Sequence, residues 1–313
     1  MFKKILLYIG GVLIMLAGVA GLILPVLPGW VLIFLGLSLI APRLAERLKR
    51  RVFVKFFKSD VVYLEEWKAT GVQAGFTTKN FHLFLQNAEG LSEEGTQAKF
   101  LSLLSESHVV RSHRLGPFKK FAVLNQVHGD KVAVLPADGS AQTYEKDGFY
   151  PLAGYDAVVT DIQGLTLLAF SADCLTLFFS AGHWVGLAHA GWRGSRDKIA
   201  QKTVRLLTEK SGCPARHIRV VLGPSIGVKH YPVGPEFRHI FPESSLLLGK
   251  GRDRSLHFDL ARENKRQLRK TGVTNKNMTD LEICTVAENG DFYSFRKEKD
   301  KAGRIISFIV KPA

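Results

Sequence analysis

Three short hydrophobic runs dominate the middle of the chain, at 165–170, 175–179 and 184–188. Apolar runs of five or six residues bounded by turn-forming residues predict buried strands. The polar side chains at the ends of these runs are of four types: Asp173, Cys174, His189 and Arg193. Such groups are costly to bury without a partner or a task. The pattern therefore predicts a functional site where these strands end.

From residue 60 onward, strands and helices alternate without a strict β–α–β period. An opening strand–turn–strand is predicted at 60–79. Helices are predicted at 96–107, 199–210 and 259–271. Further strands are predicted at 119–134 with a break at 128–130, and at 155–161, 218–222, 281–285, 293–296 and 305–310. This order favours an α+β (mixed α/β) layered core over a doubly wound sheet.

The first 41 residues have a different character. Residues 5–41 are almost continuously apolar, interrupted by Pro25, Pro28 and Gly29. As one helix this stretch would be about 55 Å long, against a hydrocarbon core of about 30 Å. A transmembrane helical hairpin is therefore predicted. A secretory signal peptide is the alternative, disfavoured because the apolar stretch continues past the turn.

Positive charge is concentrated beside this apolar stretch. Residues 1–58 hold nine Lys and Arg against one acid, a net charge of +8 out of +15 for the whole chain. By the positive-inside rule both ends of the hairpin face the cytoplasm. The predicted organisation is a hairpin at 1–42 in a bacterial inner membrane, a basic juxtamembrane linker at 43–59, and a cytoplasmic catalytic domain at 60–313. A charge excess of this kind does not favour nucleic-acid binding.

Two histidines and a cysteine follow strands in the soluble part: His128, Cys174 and His189. Two imidazoles and a thiolate suit Zn²⁺, and three protein ligands leave a fourth position open, as catalytic zinc sites do. Spacing alone also allows each of them to be an ordinary core residue. The three cysteines are far apart with no CxxC pair, which favours a reducing compartment over a disulfide framework.

Five motifs, taken together and in order, resemble the YfiH family, also called laccase-domain or polyphenol oxidase-like proteins. They are Asn125–Val132, Tyr155–Thr160, Ala172–Cys174, His189–Gly194 and Leu222–Gly227, with later matches at Phe292–Arg296 and Gly303–Arg304. The resemblance implies a mixed β-sandwich flanked by helices. It also implies a zinc-dependent purine nucleoside phosphorylase that cleaves adenosine, inosine, guanosine or methylthioadenosine with phosphate and can deaminate adenosine. Separately, the N-terminal segment resembles PGPGW-type transmembrane proteins.

The family's metal ligands carry over to His128, Cys174 and His189. The oxidase name would imply Cu²⁺, but one set of two histidines and a cysteine cannot build a multicopper cluster. Where the family has an arginine in an early loop, this chain has Lys79, a point charge in place of a planar fork. Substrate preference therefore stays open at this loop.

Roles for the surrounding residues follow from their chemistry. Arg193 is predicted to hold phosphate, and Asp173 to orient a histidine or act as a general base. The remaining predicted substrate and phosphate contacts are Lys79, Tyr231 and the backbone N–H groups of the turn that contains Gly223, Ser225 and Gly227. Tyr293 and Arg304 are further pocket candidates. The structural alternatives are a strand-end cap for Asp173, an ion pair for Arg193 and a plain turn for the glycines.

Three other functions stay open. A Cys–His hydrolase or deamidase would use Cys174 as nucleophile and His189 as base. The older family name would make the protein a copper polyphenol oxidase. A membrane-tethered scaffold whose site has decayed is the third. The sequence gives neither the preferred nucleoside nor the oligomeric state.

Overall fold

The computed structural model describes residues 11–12, 14–15, 36, 39–41, 61–64, 67, 71–80, 120–136, 149–249 and 254–312. The chain divides into two compact units, Met1–Ser59 and Asp60–Ala313. The predicted linker at 43–59, the predicted helix at 96–107 and most of the predicted hairpin lie outside the described residues.

Within the first unit, Gly11 and Gly36 are helical and approach each other closely. A Cβ atom built on Gly11 would lie 2.9 Å from the carbonyl oxygen of Gly36, so only residues without a side chain fit this approach. Among the described helices, none combines the length and the apolar composition needed to cross a bilayer.

Fifteen strands are described in the second unit. They are β1 Val61–Tyr63, β2 Gln73–Thr77, β3 Lys120–Asn125, β4 Val132–Leu135, β5 Phe149–Ala153, β6 Ala157–Thr160, β7 Leu165–Ser171, β8 Leu175–Ala181, β9 Trp184–Ala190, β10 Arg219–Leu222, β11 Pro232–Val233, β12 Leu246–Leu248, β13 Leu256–Phe258, β14 Met278–Asp280 and β15 Ile305–Val310. The predicted break between two strands at 128–130 is confirmed, since β3 and β4 flank it.

These strands build two six-stranded mixed sheets and a small third sheet. The first sheet has the order β1-β2-β15-β7-β3-β5, the second β14-β10-β8-β9-β6-β4, and the third β11-β13-β12. Strands β7 and β15 of the first sheet pack against β9 of the second. The predicted mixed fold of β-sheets with few helices is confirmed.

The central strands are predominantly apolar because both of their faces are buried. All seven residues of β8 are buried. Leu175, Leu177 and Phe179 contribute to the core shared with the helices, together with Ile199 and Val204. Since side chains alternate along a strand, the residues between them face the first sheet. A strand between two layers cannot show the polar alternation of a half-exposed strand.

Five α-helices accompany the sheets in the described part of the chain: α1 Trp192–Arg196, α2 Ile199–Ser211, α3 Phe237–Ile240, α4 Leu260–Lys270 and α5 Phe295–Glu298. Helix α2 buries an i, i+4 stripe against the second sheet and ends at Gly212, whose φ of 67° is favourable for glycine. Helix α4 packs on α2 and is capped by Asp259, which accepts a hydrogen bond from the Arg262 backbone N–H at 2.9 Å.

Two predicted strands are wrong. The segment 281–285 makes only one isolated bridge, Ser225 with Cys284, because Glu282 adopts a φ of 53° that interrupts the extended backbone after β14. The segment 293–296 is instead a turn that enters α5, with the Ser294 side chain accepting a hydrogen bond from the Lys297 backbone N–H. That turn contributes to the candidate site.

Candidate metal centre and cavity

The three predicted metal ligands converge. His128 follows β3, Cys174 lies between β7 and β8, and His189 lies near the end of β9, where it is opposite Thr176 in the β8–β9 ladder. One candidate ligand atom from each residue lies within 4.8 Å of the other two. The rings of His128 and His189 meet edge to face, with centroids 4.9 Å apart. Ligands separated by 46 and 15 positions in sequence therefore form one cluster.

Two glycines of the His189–Gly194 motif allow this convergence. A Cβ atom on Gly191 would lie 3.0 Å from the Cys174 sulfur and 3.3 Å from the His128 ring. A Cβ atom on Gly194 would lie 2.7 Å from the carbonyl oxygen of Gly129. Helix α1 can start against the His128 loop only because both positions lack a side chain.

A fully buried carboxylate, Asp156, organises two of the three ligands. Its oxygens accept hydrogen bonds from the backbone N–H groups of Val127, His128 and Gly129 at 3.1, 3.0 and 2.7 Å. These bonds hold the loop in which His128 adopts a φ of 60°, a left-handed conformation that a residue with a side chain adopts only with support.

Asp156 also fixes the orientation of the second histidine. Its Oδ1 lies 2.9 Å from His189 Nδ1, and since a carboxylate only accepts, Nδ1 carries the proton. The Nε2 atom of His189 is then the nitrogen available to a metal. Burial would raise the pKa of Asp156, but the hydrogen bonds from His189 and the loop lower it below the usual range. Sequence reasoning missed this residue as a functional one. A lone acid at the start of the apolar run 157–160 was the available signal.

The metal-free cluster is strongly polarised. Burial alone would raise the pKa of the Cys174 thiol, but the charge on His189 and hydrogen bonds from both histidines lower it to about 6. Burial would lower the pKa of His189, but the Cys174 thiolate and Asp156 raise it to about 9. The pair therefore holds a thiolate beside an imidazolium. A cation in this position would replace the imidazolium proton as the partner of the thiolate, so the donor set fits Zn²⁺.

The cluster lies on the wall of a cavity of about 580 Å³. Its apolar lining includes Leu124, Phe170, Ile226 and Leu260, and Phe295 at the edge is 48% exposed. Polar lining comes from the three candidate ligands and from Asn125, Gln126, Ser171, Asp173, Tyr231, Arg296, Lys299 and Arg304. A cavity of this volume that combines apolar walls with convergent polar groups is typical of small-molecule sites.

Three of the other residues predicted for the site or its pocket, Asp173, Tyr231 and Arg304, line this cavity. Tyr231 is largely buried, and burial raises the pKa of its phenol. Asp173 does not contact a histidine. One of its carboxylate oxygens accepts a hydrogen bond from the Thr285 hydroxyl, and the other from the Arg296 backbone N–H, both at 2.6 Å. The predicted histidine-orienting role belongs to Asp156 instead.

The predicted phosphate contacts lie elsewhere. Arg193 is exposed and stacks on Trp192, with its guanidinium carbon 4.7 Å from the ring centroid, and it does not line the cavity. Lys79 makes an ion pair with Glu298 at 2.7 Å and its ammonium lies over the Tyr293 ring. Neither Lys79 nor Tyr293 lines the cavity. Arg193 and Lys79 therefore contact other protein groups and do not face the cavity.

The turn predicted as an anion cradle, Gly223–Gly227, has its backbone N–H groups bonded within the protein. The N–H groups of Gly223, Ser225 and Ile226 are donated to carbonyl oxygens, and that of Gly227 to the Cys284 sulfur at 3.2 Å. Proline at position 224 has no N–H to offer. The turn thus ties β10 to the Asp173 loop and leaves no backbone donor for an anion in this conformation.

Sequence comparison places these features in a known family. The family model described as multi-copper polyphenol oxidoreductase laccase matches residues 105–312. A purine nucleoside phosphorylase of Aquifex aeolicus is 31% identical over 217 residues, 69% of this chain and 96% of its own length. The chain belongs to the YfiH family.

A second relative and a solved structure also match this chain. The purine nucleoside phosphorylase YlmD of Geobacillus stearothermophilus is 33% identical over 204 residues, 62% of this chain and 73% of its own. A crystal structure of the Bacillus licheniformis hypothetical protein YfiH superposes with a TM-score of 0.65 at 26% identity, covering 80% of this chain and 96% of that one.

Proposed function

We propose that this YfiH-family chain is a zinc-dependent purine nucleoside phosphorylase. The observation that carries the proposal is the cluster of His128, Cys174 and His189 opening into a cavity that has room for a nucleoside and an anion. Two relatives of this chain are named purine nucleoside phosphorylases, which supports phosphorolysis as the reaction.

In the proposed reaction the C1′–N bond between sugar and purine breaks, and an oxygen of hydrogen phosphate bonds to C1′. The electron pair of the broken bond leaves with the base, which takes up the proton that the phosphate loses. His128, Cys174 and His189 would hold zinc, which would act as a Lewis acid toward an oxygen of phosphate or water. Asp156 fixes both histidines, through the His128 loop and through His189 Nδ1.

The test uses the full chain loaded with zinc. Inosine and phosphate together should yield hypoxanthine and ribose 1-phosphate, measured by chromatography, and the yield should fall to background when phosphate is omitted. The same assay with adenosine, guanosine and methylthioadenosine ranks the substrates, and ammonia release without phosphate reports deamination. A zinc-loaded protein that releases no base from any of the four would refute the phosphorylase. A chelator-dependent loss of stability in such a protein would indicate the tethered scaffold instead.

A cysteine hydrolase is the second candidate, because Cys174, His189 and Asp156 also form a Cys–His–carboxylate chain. Iodoacetamide labelling separates the two. The thiolate of metal-free protein should react at neutral pH, and one equivalent of zinc should protect it if the sulfur is a ligand. Labelling that zinc does not prevent would favour the hydrolase.

For the metal itself, we propose zinc in place of the copper in the family description. Among the described residues, the single group of three or more His, Cys, Asp and Glu side chains close enough to hold a metal is His128, Cys174 and His189. A multicopper centre needs several such groups. Elemental analysis of protein purified without added metal should find about one zinc per chain.

Placement at the bacterial inner membrane, with residues 60–313 in the cytoplasm, stays a proposal from the sequence of residues 1–58. It is supported by the apolar stretch at 5–41 and by the basic residues on both sides of it. A reporter enzyme that is active only in the cytoplasm should be active when it is fused after Ala313. Activity of a reporter that works only in the periplasm, fused at the same position, would refute this orientation.

A further inference from the structure

Three cations line the cavity without a carboxylate partner: Arg296, Lys299 and Arg304. We refer to them as the cationic wall. In the described part of the chain none of them is in a salt bridge. The Arg296 guanidinium lies 5.5 Å from the centroid of the Tyr231 ring, and one nitrogen of Arg304 donates to two carbonyl oxygens at 2.8 and 3.2 Å. Both guanidinium groups keep further donors unused.

Among the described lining residues, no carboxylate is free to balance these three cations. Asp173 is the one acid among its described lining residues, and each of its oxygens already accepts a hydrogen bond, from Thr285 and from the Arg296 backbone. Three cations facing a partly enclosed space with no counter-charge favour an anion there.

A hydrogen bond fixes the backbone of the cationic wall next to the candidate metal ligand Cys174. Asp173 immediately precedes the candidate ligand Cys174 and adopts a φ of 93°, which is strained for a residue with a side chain. Its hydrogen bond to the Arg296 N–H connects that strained residue to the start of α5. The Asp173 carboxylate therefore connects the backbone of Arg296 to the residue before the candidate metal ligand.

A second set of contacts holds the turn from its other side. Glu298 pairs with Lys79 at 2.7 Å and accepts hydrogen bonds from the Ser294 backbone N–H and the Asn289 side chain at 3.0 and 3.1 Å. The next residue, Lys299, has φ 55° and ψ −134°, a region that favours glycine. Lys299 is exposed where it lines the cavity, and its ammonium lies 6.0 Å from the centroid of the Phe295 ring.

We propose that the cationic wall binds inorganic phosphate as the co-substrate of the phosphorylase, an inference that rests on the proposed function. Planar guanidinium groups suit bidentate contacts to phosphate oxygens, and two of the three cations are arginines. Asp173 and the Lys79–Glu298 pair act as positioning residues for this site. The apolar lining residues are then left to contact the nucleoside.

The experiment measures phosphate binding and turnover separately. The zinc-loaded full chain is titrated with inorganic phosphate by calorimetry, and the KM values for phosphate and for inosine are determined. Arg296→Met and Arg304→Met should each weaken phosphate binding and raise its KM about tenfold or more, since hydrogen bonds between charged groups are lost. The KM for inosine should change much less. Thermal unfolding and zinc content identify variants that misfold.

Two exposed cations outside the cavity serve as controls. Lys301→Met removes a cation two residues beyond Lys299 that does not line the cavity, and Arg193→Met removes the exposed arginine of the metal motif. Both should leave phosphate binding unchanged. Loss of phosphate binding in Arg193→Met with normal binding in Arg296→Met would overturn the assignment.

Further outcomes separate the two proposals. Phosphate binding that depends on Arg296 in a protein without base release would support the wall while refuting the phosphorylase. Normal base release with an unchanged phosphate KM in both arginine variants would refute the wall alone, as would wild-type protein that binds no phosphate. Adenosine 5′-monophosphate binding more tightly than phosphate, and lost in Arg296→Met, would overturn the co-substrate role in favour of a nucleotide site.

Discussion

Two buried carboxylates, Asp156 and Asp173, organise two different parts of the candidate site. Asp156 gathers three backbone N–H groups and a histidine, and so builds the metal side from β6, β9 and the His128 loop. Asp173 gathers a hydroxyl and one backbone N–H, and so attaches the Arg296 turn beside the metal ligand Cys174. Each stabilises a loop in which a non-glycine residue has positive φ.

The difference lies in what each carboxylate controls. Asp156 contacts a candidate metal ligand directly, so changes there act on metal binding. Asp173 contacts no candidate ligand and instead positions a cation, so changes there act on the anion. If this division is correct, variants on the two sides should separate in zinc content and in the KM for phosphate.

The largest effect is expected from Cys174→Ser, which removes the only sulfur ligand among the described candidates. Loss of the metal should lower kcat/KM by about 10³-fold or more, because metal-ion catalysis supplies several kcal/mol of transition-state stabilisation. Elemental analysis should show little bound zinc. Cys213→Ser, a partly exposed cysteine outside the cavity, is the control and should keep both properties. Full activity in Cys174→Ser would refute the role of Cys174 as a ligand of a catalytic metal.

Asp156→Asn should lower zinc affinity and activity about 10–100-fold, the usual cost of removing a carboxylate behind a metal-bound histidine. The amide can replace one acceptor oxygen but not both, so the His128 loop also loses support. Zinc titration against a competing chelator measures the affinity. Asp161 is an exposed acid just after β6, the strand that Asp156 precedes, and Asp161→Asn should behave as wild type. Equal loss in both variants would show that Asp156 has no special role.

The metal side was accessible from sequence because each ligand follows an apolar run, and strand ends meet at a sheet edge. His128, Cys174 and His189 were found for that reason together with the motifs around them. Asp156 was missed because hydrogen bonds to three N–H groups of a distant loop leave no periodic signal.

On the anion side the sequence predicts only Arg304 as a pocket residue, although Arg296 ends one of the matching motifs. Arg296 and Lys299 lie in a run of charged residues at 296–301 that is typical of a solvated surface. Their entry into the cavity depends on the Asp173–Arg296 hydrogen bond and on the backbone of Lys299, which are tertiary features. Arg193 and the Gly223–Gly227 turn were chosen from residue type, and the structure gives both of them protein partners.

Asp173→Asn should raise the KM for phosphate about tenfold, because the amide group cannot accept hydrogen bonds from both Thr285 and Arg296. Zinc content should stay near one per chain, in contrast to Asp156→Asn. Thr285→Val removes the hydroxyl donor alone and should give a smaller rise. If Asp173→Asn instead loses zinc and keeps its phosphate KM, the division between the two carboxylates is wrong.

Glu263→Gln provides the smallest effect on activity and tests whether any buried carboxylate would behave in the same way. Glu263 is buried on α4, away from the cavity, and accepts hydrogen bonds from Ser245, Arg266 and Gln267. Burial would raise its pKa, but these donors lower it below the usual glutamate range. Its stabilising contribution is therefore present above the pKa of the unfolded chain and is lost as the pH falls through the lower folded value.

The variant should lower the free energy of unfolding by about 1–3 kcal/mol at neutral pH, measured by urea denaturation. The difference from wild type should shrink toward acid pH, since protonation removes the same charge from the native protein. The phosphate KM, the inosine KM and zinc content should all stay at wild-type values. A change in phosphate KM comparable to that of Asp173→Asn would mean that buried carboxylates act on the site through general stability and not through Arg296.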